Sequence, residues 1–477
     1  MSGRGVDLVV RGGQVVTSTD VVEAAVAIKG GSIVAIGPET MLPPADHVID
    51  AAGKIVFPGF IDCHLHVGPE YDDWRTSARA GARTGLTTLV PFVTYDAGET
   101  LPRAVQRLRE EAEAASVLDF GFHFILNHEP PILDGLATAV EMGVRSFKLF
   151  MTYKKRGKRM VSDEFICKTM ERLAALGGVC QVHCENGDVL CYLEDKAIAE
   201  GRTAPTDFPG TCPDWAEEEA INRAILIARL TGCPLYVVHL STLLGLERIK
   251  RAQNEGQRVW VETCPQYLLL TDREMERLGP FAKIGPPLRP ADGPDRRALW
   301  EGLAGGYVNT IASDHAPRPP EFKEPGRTNI FVDPQGVPIP FGAPSLETLV
   351  PLIYNAGVVE RGLPLPWMAR VLAENPARIF GLFPRKGAIR VGADADLTLW
   401  DPNAEWTIEQ RQHLSIAGYT PYEGWGIRGR AWQTLVRGQV VLNPAGELEQ
   451  KAGFGQFLDE GSPANPVAGA VVAKRTR

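Results

Sequence analysis

No apolar stretch in this chain approaches the roughly 20 residues that a membrane-spanning helix needs, although 44% of its 477 residues are hydrophobic. That argues against a membrane anchor and leaves enough apolar material for a large core. Positive charge is not in excess: 50 Lys and Arg stand against 58 Asp and Glu, a formal net charge of -8. This balance argues against nucleic acid or an anionic membrane as the main partner. The eight cysteines, at 63, 167, 180, 184, 191, 212, 233 and 264, form no C-x-x-C pair. They read as reduced thiols rather than a disulfide framework. The start, Met1-Ser2-Gly3-Arg4-Gly5-Val6-Asp7, lacks the apolar region of a signal peptide, so a cytoplasmic location is expected. No internal repeat, coiled coil or low-complexity segment is present.

What is present is an alternation with β-rich ends. Val6 to Arg11, Gln14 to Thr17, Ala24 to Ile28 and Ser32 to Ile36 read as short strands around the Gly12-Gly13 and Gly30-Gly31 turns. Ala395 to Trp400 and Gln433 to Val441 are β-like too. Between these ends, apolar runs alternate with helical patterns at Leu101 to Ser116, Asp163 to Leu176, Trp215 to Thr231, Leu243 to Glu255 and Trp367 to Asn375. Such alternation predicts a parallel sheet with crossover helices. The expected fold is α/β: a distorted (β/α)8 barrel over 59–384. A smaller β-sandwich domain is expected from both termini, 1–58 and 385–477. Pro317 to Pro344, rich in Pro and Gly, reads as a long active-site loop, and the tail from Gly461 to Arg477 as mobile.

His64-Leu65-His66 ends the apolar run Val56 to Cys63. In a strand, residues i and i+2 share a face, so the two imidazoles can grip one metal ion. Alone this signal is weak, but other runs end the same way. His183 closes Gly178 to Val182, His239 closes Pro234 to Val238, and Asp314 closes Val308 to Ser313. Lys148 sits inside Val144 to Phe150, on the same side as Ser146. Polar, metal-binding types at the C-terminal ends of separate strands are what an active site on a (β/α)8 barrel requires.

Any one of these histidines fits a satisfied core residue; their joint placement does not fit coincidence. Lys148 by itself fits a lysine that snorkels to the strand end or meets a carboxylate. With four histidines and an aspartate nearby, another chemistry gains ground. A desolvated lysine is a neutral amine that reacts with carbon dioxide to give a carbamate, an anionic group able to bridge two metal ions. Imidazole and carboxylate ligands without thiolate suit Zn²⁺, and are compatible with Mn²⁺, Co²⁺ or Fe²⁺. His123 and His128 lack the strand-end pattern, and His47 and His413 fall in the smaller domain. His315 is expected to support Asp314. Cys63 and Cys184 are expected to point away from their histidine neighbours and pack.

The order H-x-H, lysine, histidine, histidine, aspartate resembles the amidohydrolase superfamily. Within it, the chain resembles the cyclic amidohydrolases: hydantoinase, dihydropyrimidinase and allantoinase. Pro58 to His66 looks like the first metal motif and Phe147 to Tyr153 like the carboxylated-lysine strand. Val182 to Asn186, Val238 to Ser241, Glu262 to Leu268, Gly285 to Arg289 and Ser313 to His315 continue the series. The resemblance implies that His64, His66 and Asp314 hold one metal and His183 and His239 the other, with N6-carboxylated Lys148 between them. It implies attack of a metal-bound hydroxide on a cyclic ureide or amide, with Asp314 relaying the proton and Tyr153 donating to the oxyanion. Tyr153, Gly285, Phe341 and Gly342 are the expected substrate contacts. A homotetramer is implied as well, and the aromatics of Gly453 to Leu458 are candidates for packing on a neighbour.

Two positions depart from the pattern: the family often has serine at Gly285 and asparagine near Phe341. Dihydroorotase carries an arginine two residues after the second histidine of H-x-H, where this chain has Gly68, and ranks low. Allantoinase is the alternative reading. A non-catalytic dihydropyrimidinase-related scaffold is disfavoured because all six ligand positions are filled.

Overall fold

The structure is a computed structural model that describes residues 5–467. The N-terminal strands are β1 (Val6–Arg11), β2 (Gln14–Val16), β3 (Val21–Glu23), β4 (Ala25–Lys29), β5 (Ser32–Gly37), β6 (Ala45–Asp50) and β7 (Ile55–Pro58). The alternating part supplies β8 (Phe60–Asp62), β9 (Leu86–Leu89), β10 (Phe92–Val93), β11 (Asp119–Phe120), β12 (His123–Ile125), β13 (Ser146–Phe150), β14 (Val179–His183), β15 (Leu235–Val237), β16 (Val259–Thr263) and β17 (Thr310–Ile311). The C-terminal strands are β18 (Leu397–Thr407), β19 (Gly426–Val436) and β20 (Gln439–Leu442).

The fold is α/β. A curled parallel sheet runs in the order β10-β12-β13-β14-β15-β16-β17, and a second parallel sheet runs β11-β9-β8. Isolated parallel bridges link His66 to Phe92 and Leu65 to His315. Strands β13 and β14 are buried at every position, as parallel strands covered on both faces must be. Helices α1 (Trp74–Ala82), α2 (Leu101–Ala115), α3 (Leu136–Glu141), α4 (Asp163–Leu176), α5 (Gly187–Ala199), α6 (Asp214–Thr231) and α7 (Leu243–Asn254) connect successive strands. Local chemistry sets their ends. The Ser162 side chain caps α4 by accepting from Phe165 N, and Gly177 closes it at φ 69°.

Both termini join one β region. The sheet β20-β19-β18-β7-β2-β3 lies against β5-β4-β1-β6. Leu8, Val10, Val26 and Ile28 from one sheet share a core with Val15, Val56, Leu397, Leu399 and Leu435 from the other. The seam to the parallel sheets is apolar, with Phe57, Trp400 and Val436 sharing a core with Phe60 and Leu86, and carries one buried ionic cluster. Lys386 Nζ lies 2.5 Å from Asp119, 2.9 Å from Asp394 and 2.7 Å from Asp396, and Arg437 also holds Asp119.

Several expectations need correction. The run Gln433 to Val441 is a hairpin, because Arg437 and Gly438 both take positive φ, 47° and 70°, which favours a tight turn. The helix at Trp367 extends from Leu365 to Ile379 and contains a π-helical turn at Arg370–Glu374. The tail is anchored as far as described: Gly461 N donates to Gly381 O (3.0 Å) and Ala464 N to Arg378 O (2.9 Å). Residues 468–477 of that tail lie outside the described residues. Phe457 packs on Phe120 and Phe122, and Phe454 lies under Arg437. The Gly453–Leu458 segment is thus engaged within its own subunit.

Candidate metal centre

The six expected ligands converge where the parallel strands end. His64 and His66 follow β8, Lys148 lies in β13, His183 ends β14, His239 follows β15 and Asp314 follows β17. His64 Nε2 lies 3.0 Å from Asp314 Oδ1, and His66 Nε2 lies 3.6 Å from the same oxygen. Ligand atoms of His64, His66 and Asp314 all fall within 4.8 Å of one another. His183 Nδ1 and His239 Nε2 face each other at 2.9 Å. Lys148 Nζ stands between the groups, 3.2 Å from His64 Nε2. Burial lowers its pKa to about 8.

Strain and charge are both stored here. Tyr153, His239 and Asp314 are three of the four non-glycine residues with positive φ among the described residues, at 70°, 40° and 49°. Such conformations persist where the surrounding structure overdetermines them, often at functional sites. Burial opposes ionisation of Asp314, but His64 and His66 outweigh it and hold the carboxyl well below its usual value. Burial pulls His66 down to about 3, leaving a neutral imidazole of the kind a metal needs. His239 Nδ1 is buried without a hydrogen-bond partner among the described residues. Clustered imidazoles, an ionised aspartate and an orphaned ring nitrogen fit a divalent cation site.

Supporting groups appear that sequence reasoning left without a role. Glu262 accepts from His64 Nδ1, from His239 N at 3.1 Å and from the Tyr236 hydroxyl at 2.8 Å. His183 Nε2 donates to Glu185 at 2.7 Å. Asp62 accepts from Ser313 Oγ and from His64 N, tying the two ends of the site together. A carboxylate behind His64 and another behind His183 fix the tautomer and orientation of those two rings. The Glu262-Thr263-Cys264-Pro265 motif marked the first of these residues; nothing local revealed its partner.

Two supporting roles differ from expectation. His315 does not bond Asp314: its Nε2 donates to Asp72 at 2.8 Å and its Nδ1 accepts from Ser345 N and Leu346 N. Cys63 does not point away from the site. β8 ends at Asp62, so strand alternation no longer applies, and Cys63 Sγ lies 3.6 Å from the Tyr236 hydroxyl. Cys184 packs in the core. His123 lies against Phe380 and bonds Ser146 beneath the site, and His128 meets Ser162.

A cavity of about 510 Å³ opens onto the cluster, lined by His66, Lys148, Tyr153, His183, His239, Asp314, Gly285, Phe341 and Gly342 among others. The two departures prove to be coupled. A Cβ on residue 285 would stand 2.7 Å from the Tyr153 hydroxyl and 3.2 Å from the Phe341 ring. Phe341 packs on Tyr153 with ring centres 5.2 Å apart, filling the space that a serine side chain would need. Gly342, at φ 107°, leaves no room for a Cβ beside Ala316 O at 2.5 Å.

The amidohydrolase family profile matches residues 55–441. A D-hydantoinase from Ralstonia pickettii is 36% identical over 463 residues, covering 95% of this chain and 98% of that protein. An allantoinase from Escherichia coli is 33% identical over 466 residues, covering 95% and 98%. The crystal structure of a dihydropyrimidinase from Brevibacillus agri superposes with a TM-score of 0.90 at 36% identity, covering 96% of this chain and 99% of that one. This chain belongs to the amidohydrolase family.

Proposed function

We propose that this protein is a metal-dependent hydrolase that opens the cyclic amide bond of a ureide ring, as a hydantoinase or dihydropyrimidinase does. The observation that carries the reading is the convergence of His64, His66, Lys148, His183, His239 and Asp314 on one cavity. The family uses divalent metal. In our reading His64, His66 and Asp314 would hold one ion and His183 and His239 a second, with Lys148, carboxylated by carbon dioxide, as the ligand both would share. Zn²⁺ is the ion we assign, on the ligand chemistry. Two bound ions would acidify a water molecule and polarise the amide carbonyl.

The chain's own residues do the rest. Asp314, ionised and within reach of both H-x-H imidazoles, takes a proton from the attacking water and passes it to the departing ring nitrogen. Tyr153, whose burial pushes its pKa well above the usual phenol value, stays protonated and donates to the oxyanion. Gly285, Phe341 and Gly342 bound the ring. The product is the ring-opened carbamoyl acid.

We read strands β8 to β17, with β9–β10 and β11–β12 each taken as one interrupted strand, as a distorted (β/α)8 barrel closed by the bridges at Leu65–His315 and His66–Phe92. Residues 59–384 form it. Of the terminal parts, 1–58 and 385–477, the described residues 5–58 and 385–467 supply a β-sandwich around the shared core of the two terminal sheets. A cytoplasmic homotetramer completes the reading; among the described residues no helix is long and apolar enough to cross a membrane. Zn²⁺-loaded protein incubated with hydantoin, dihydrouracil, allantoin and dihydroorotate tests the function. Opening of hydantoin or dihydrouracil is expected. Opening of allantoin alone would establish the allantoinase alternative, and no opening of any ring would overturn the proposal.

A further inference from the structure

The cavity over the metal centre has an unbalanced wall. Arg156, Arg159 and Arg318 line it together with the apolar side chains of Phe92, Ile125 and Phe150. Arg318 is neutralised, with Glu70 at 2.6 Å and the Tyr71 hydroxyl at 2.8 Å. Arg156 and Arg159 have no carboxylate within ion-pair distance among the described residues. The acids that approach this wall are engaged elsewhere: Asp314 by the two imidazoles, Glu185 by His183 and Glu194 by Lys155 at 2.9 Å. Arg156 donates one hydrogen bond, to Ile339 O at 2.9 Å, and lies 4.9 Å from the Phe341 ring centre. Arg159 leans on Phe150 at 5.4 Å, and its Nη1 is buried with no hydrogen-bond partner among the described residues.

Arg156 and Arg159 are half-buried; a guanidinium partly withdrawn from water without an anion carries a cost, and one aromatic ring returns only part of it. Burial drags the pKa of both arginines below the ordinary value, in keeping with a missing counter-ion. Both residues lie in the segment between β13 and α4, so the strand that carries Lys148 leads directly into the cationic wall. A planar fork with unused donors suits a carboxylate, which it can bind through two hydrogen bonds.

We propose that Arg159, assisted by Arg156, forms an anion subsite that selects cyclic ureides bearing a carboxylate on or beside the ring. The inference rests on the ring-opening activity proposed above and names the substrate class for it. A carboxylate pairs with the donors that the Arg159 guanidinium presents to the cavity; a neutral or purely apolar substituent leaves them without an anion.

The test compares matched pairs on Zn²⁺-loaded protein. The anionic ring is 5-(2-carboxyethyl)hydantoin and its neutral isostere is 5-(2-carbamoylethyl)hydantoin. Dihydroorotate against dihydrouracil tests a carboxylate borne on the ring itself. The acid is expected to exceed its neutral partner in kcat/KM by roughly tenfold or more in at least one pair, mainly through KM. Arg159→Gln should bring that ratio close to one, and Arg159→Lys should keep part of it. Calorimetry of the ring-opened products, N-carbamoylglutamate against N-carbamoylglutamine, supplies a reading independent of turnover and should show the same preference. If hydantoin and the neutral rings open but carboxylates gain nothing in either pair, the subsite is wrong and the activity stands. If no ring opens yet N-carbamoylglutamate binds more tightly, and Arg159→Gln removes that difference, the activity is wrong and the subsite stands. A carboxylate preference that survives intact in Arg159→Gln overturns the assignment to Arg159.

Discussion

Lys148 and Lys386 are the same residue buried to nearly the same depth, at 1% and 2% exposure, in opposite surroundings. Lys386 is held by Asp119, Asp394 and Asp396 at the seam between the terminal sheets and the parallel strands. Lys148 has imidazole nitrogen as its nearest polar neighbour and the rings of Phe92 and Phe150 at 4.0 and 5.0 Å. Three carboxylates make a lysine a structural cation. Their absence makes a neutral, nucleophilic amine attainable near pH 8. Lys283 shows that burial by itself does not define a site. Its pKa falls to about 7 through burial, yet its ammonium donates to Ile330 O and Ile339 O, away from any cluster of imidazoles.

The sharpest break of this comparison is Lys148→Ala. It should remove activity by well over the ~10–100-fold that loss of a supporting group costs, and it should release much of the bound metal. On the proposed arrangement, alanine would take away the bridging anion and leave two cations facing each other. A short carboxylic acid should restore part of the rate by filling the void. Lys148→Arg should not, because a guanidinium is always cationic. Near wild-type turnover with two metals in Lys148→Arg would make Lys148 a structural cation like Lys386.

Lys386→Met attacks the other side. It leaves buried carboxylates short of their cation, which costs roughly 3–5 kcal/mol when one partner of a buried pair is removed. Urea unfolding should show that loss, while metal content and kcat/KM of the folded protein stay unchanged. A loss of metal without loss of stability would undo the distinction between the two sites.

Glu262→Gln tests whether the carboxylate behind His64 belongs to the metal centre. Metal affinity should fall by about 10–100-fold, measured by competition with a chelator, with only a modest change in unfolding. Unaltered metal affinity would assign Glu262 to the core alone.

Strand-end chemistry is local and was therefore legible. His64, His66, Lys148, His183, His239 and Asp314 each follow or sit in an apolar run, and the alternation of runs and helical patterns gave the α/β class. Their supporting carboxylates were not. Glu262 meets His64 across 198 residues of sequence, and no periodicity encodes such a contact. The helix α5 escaped notice because only Gly187 and Ala197 of its residues are buried, so it carries no apolar stripe. The crowding at 285 comes from Tyr153 and Phe341, 132 and 56 positions away, and needs coordinates to be seen. The tail from Gly461 read as mobile, and the aromatics of Gly453 to Leu458 as candidates for packing on a neighbour, because their anchors, Gly381, Arg378 and Phe120, are tertiary.

That segment also provides the mirror image of Lys148: a buried carboxyl with no ammonium beside it. Glu460, 3% exposed, accepts from Arg145 N at 2.6 Å and Ser146 Oγ at 2.9 Å, two residues below Lys148 on β13. Burial raises its pKa from 4.5 to about 8. The folded protein therefore binds a proton that the unfolded chain releases above about pH 4.5, and stability must fall as pH rises through that window. Below it the contribution is fully present; above about 8 it is gone. Glu460→Gln keeps the shape and the neutral state at every pH, so its unfolding midpoint should lose less between pH 5 and pH 9 than that of the wild type. Arg145 N and Ser146 Oγ already offset part of the cost of the ionised form. Parallel pH profiles for the two proteins would mean that Glu460 stays ionised in the fold, and that a buried group of this chain can keep its charge without the carboxylate ring that surrounds Lys386.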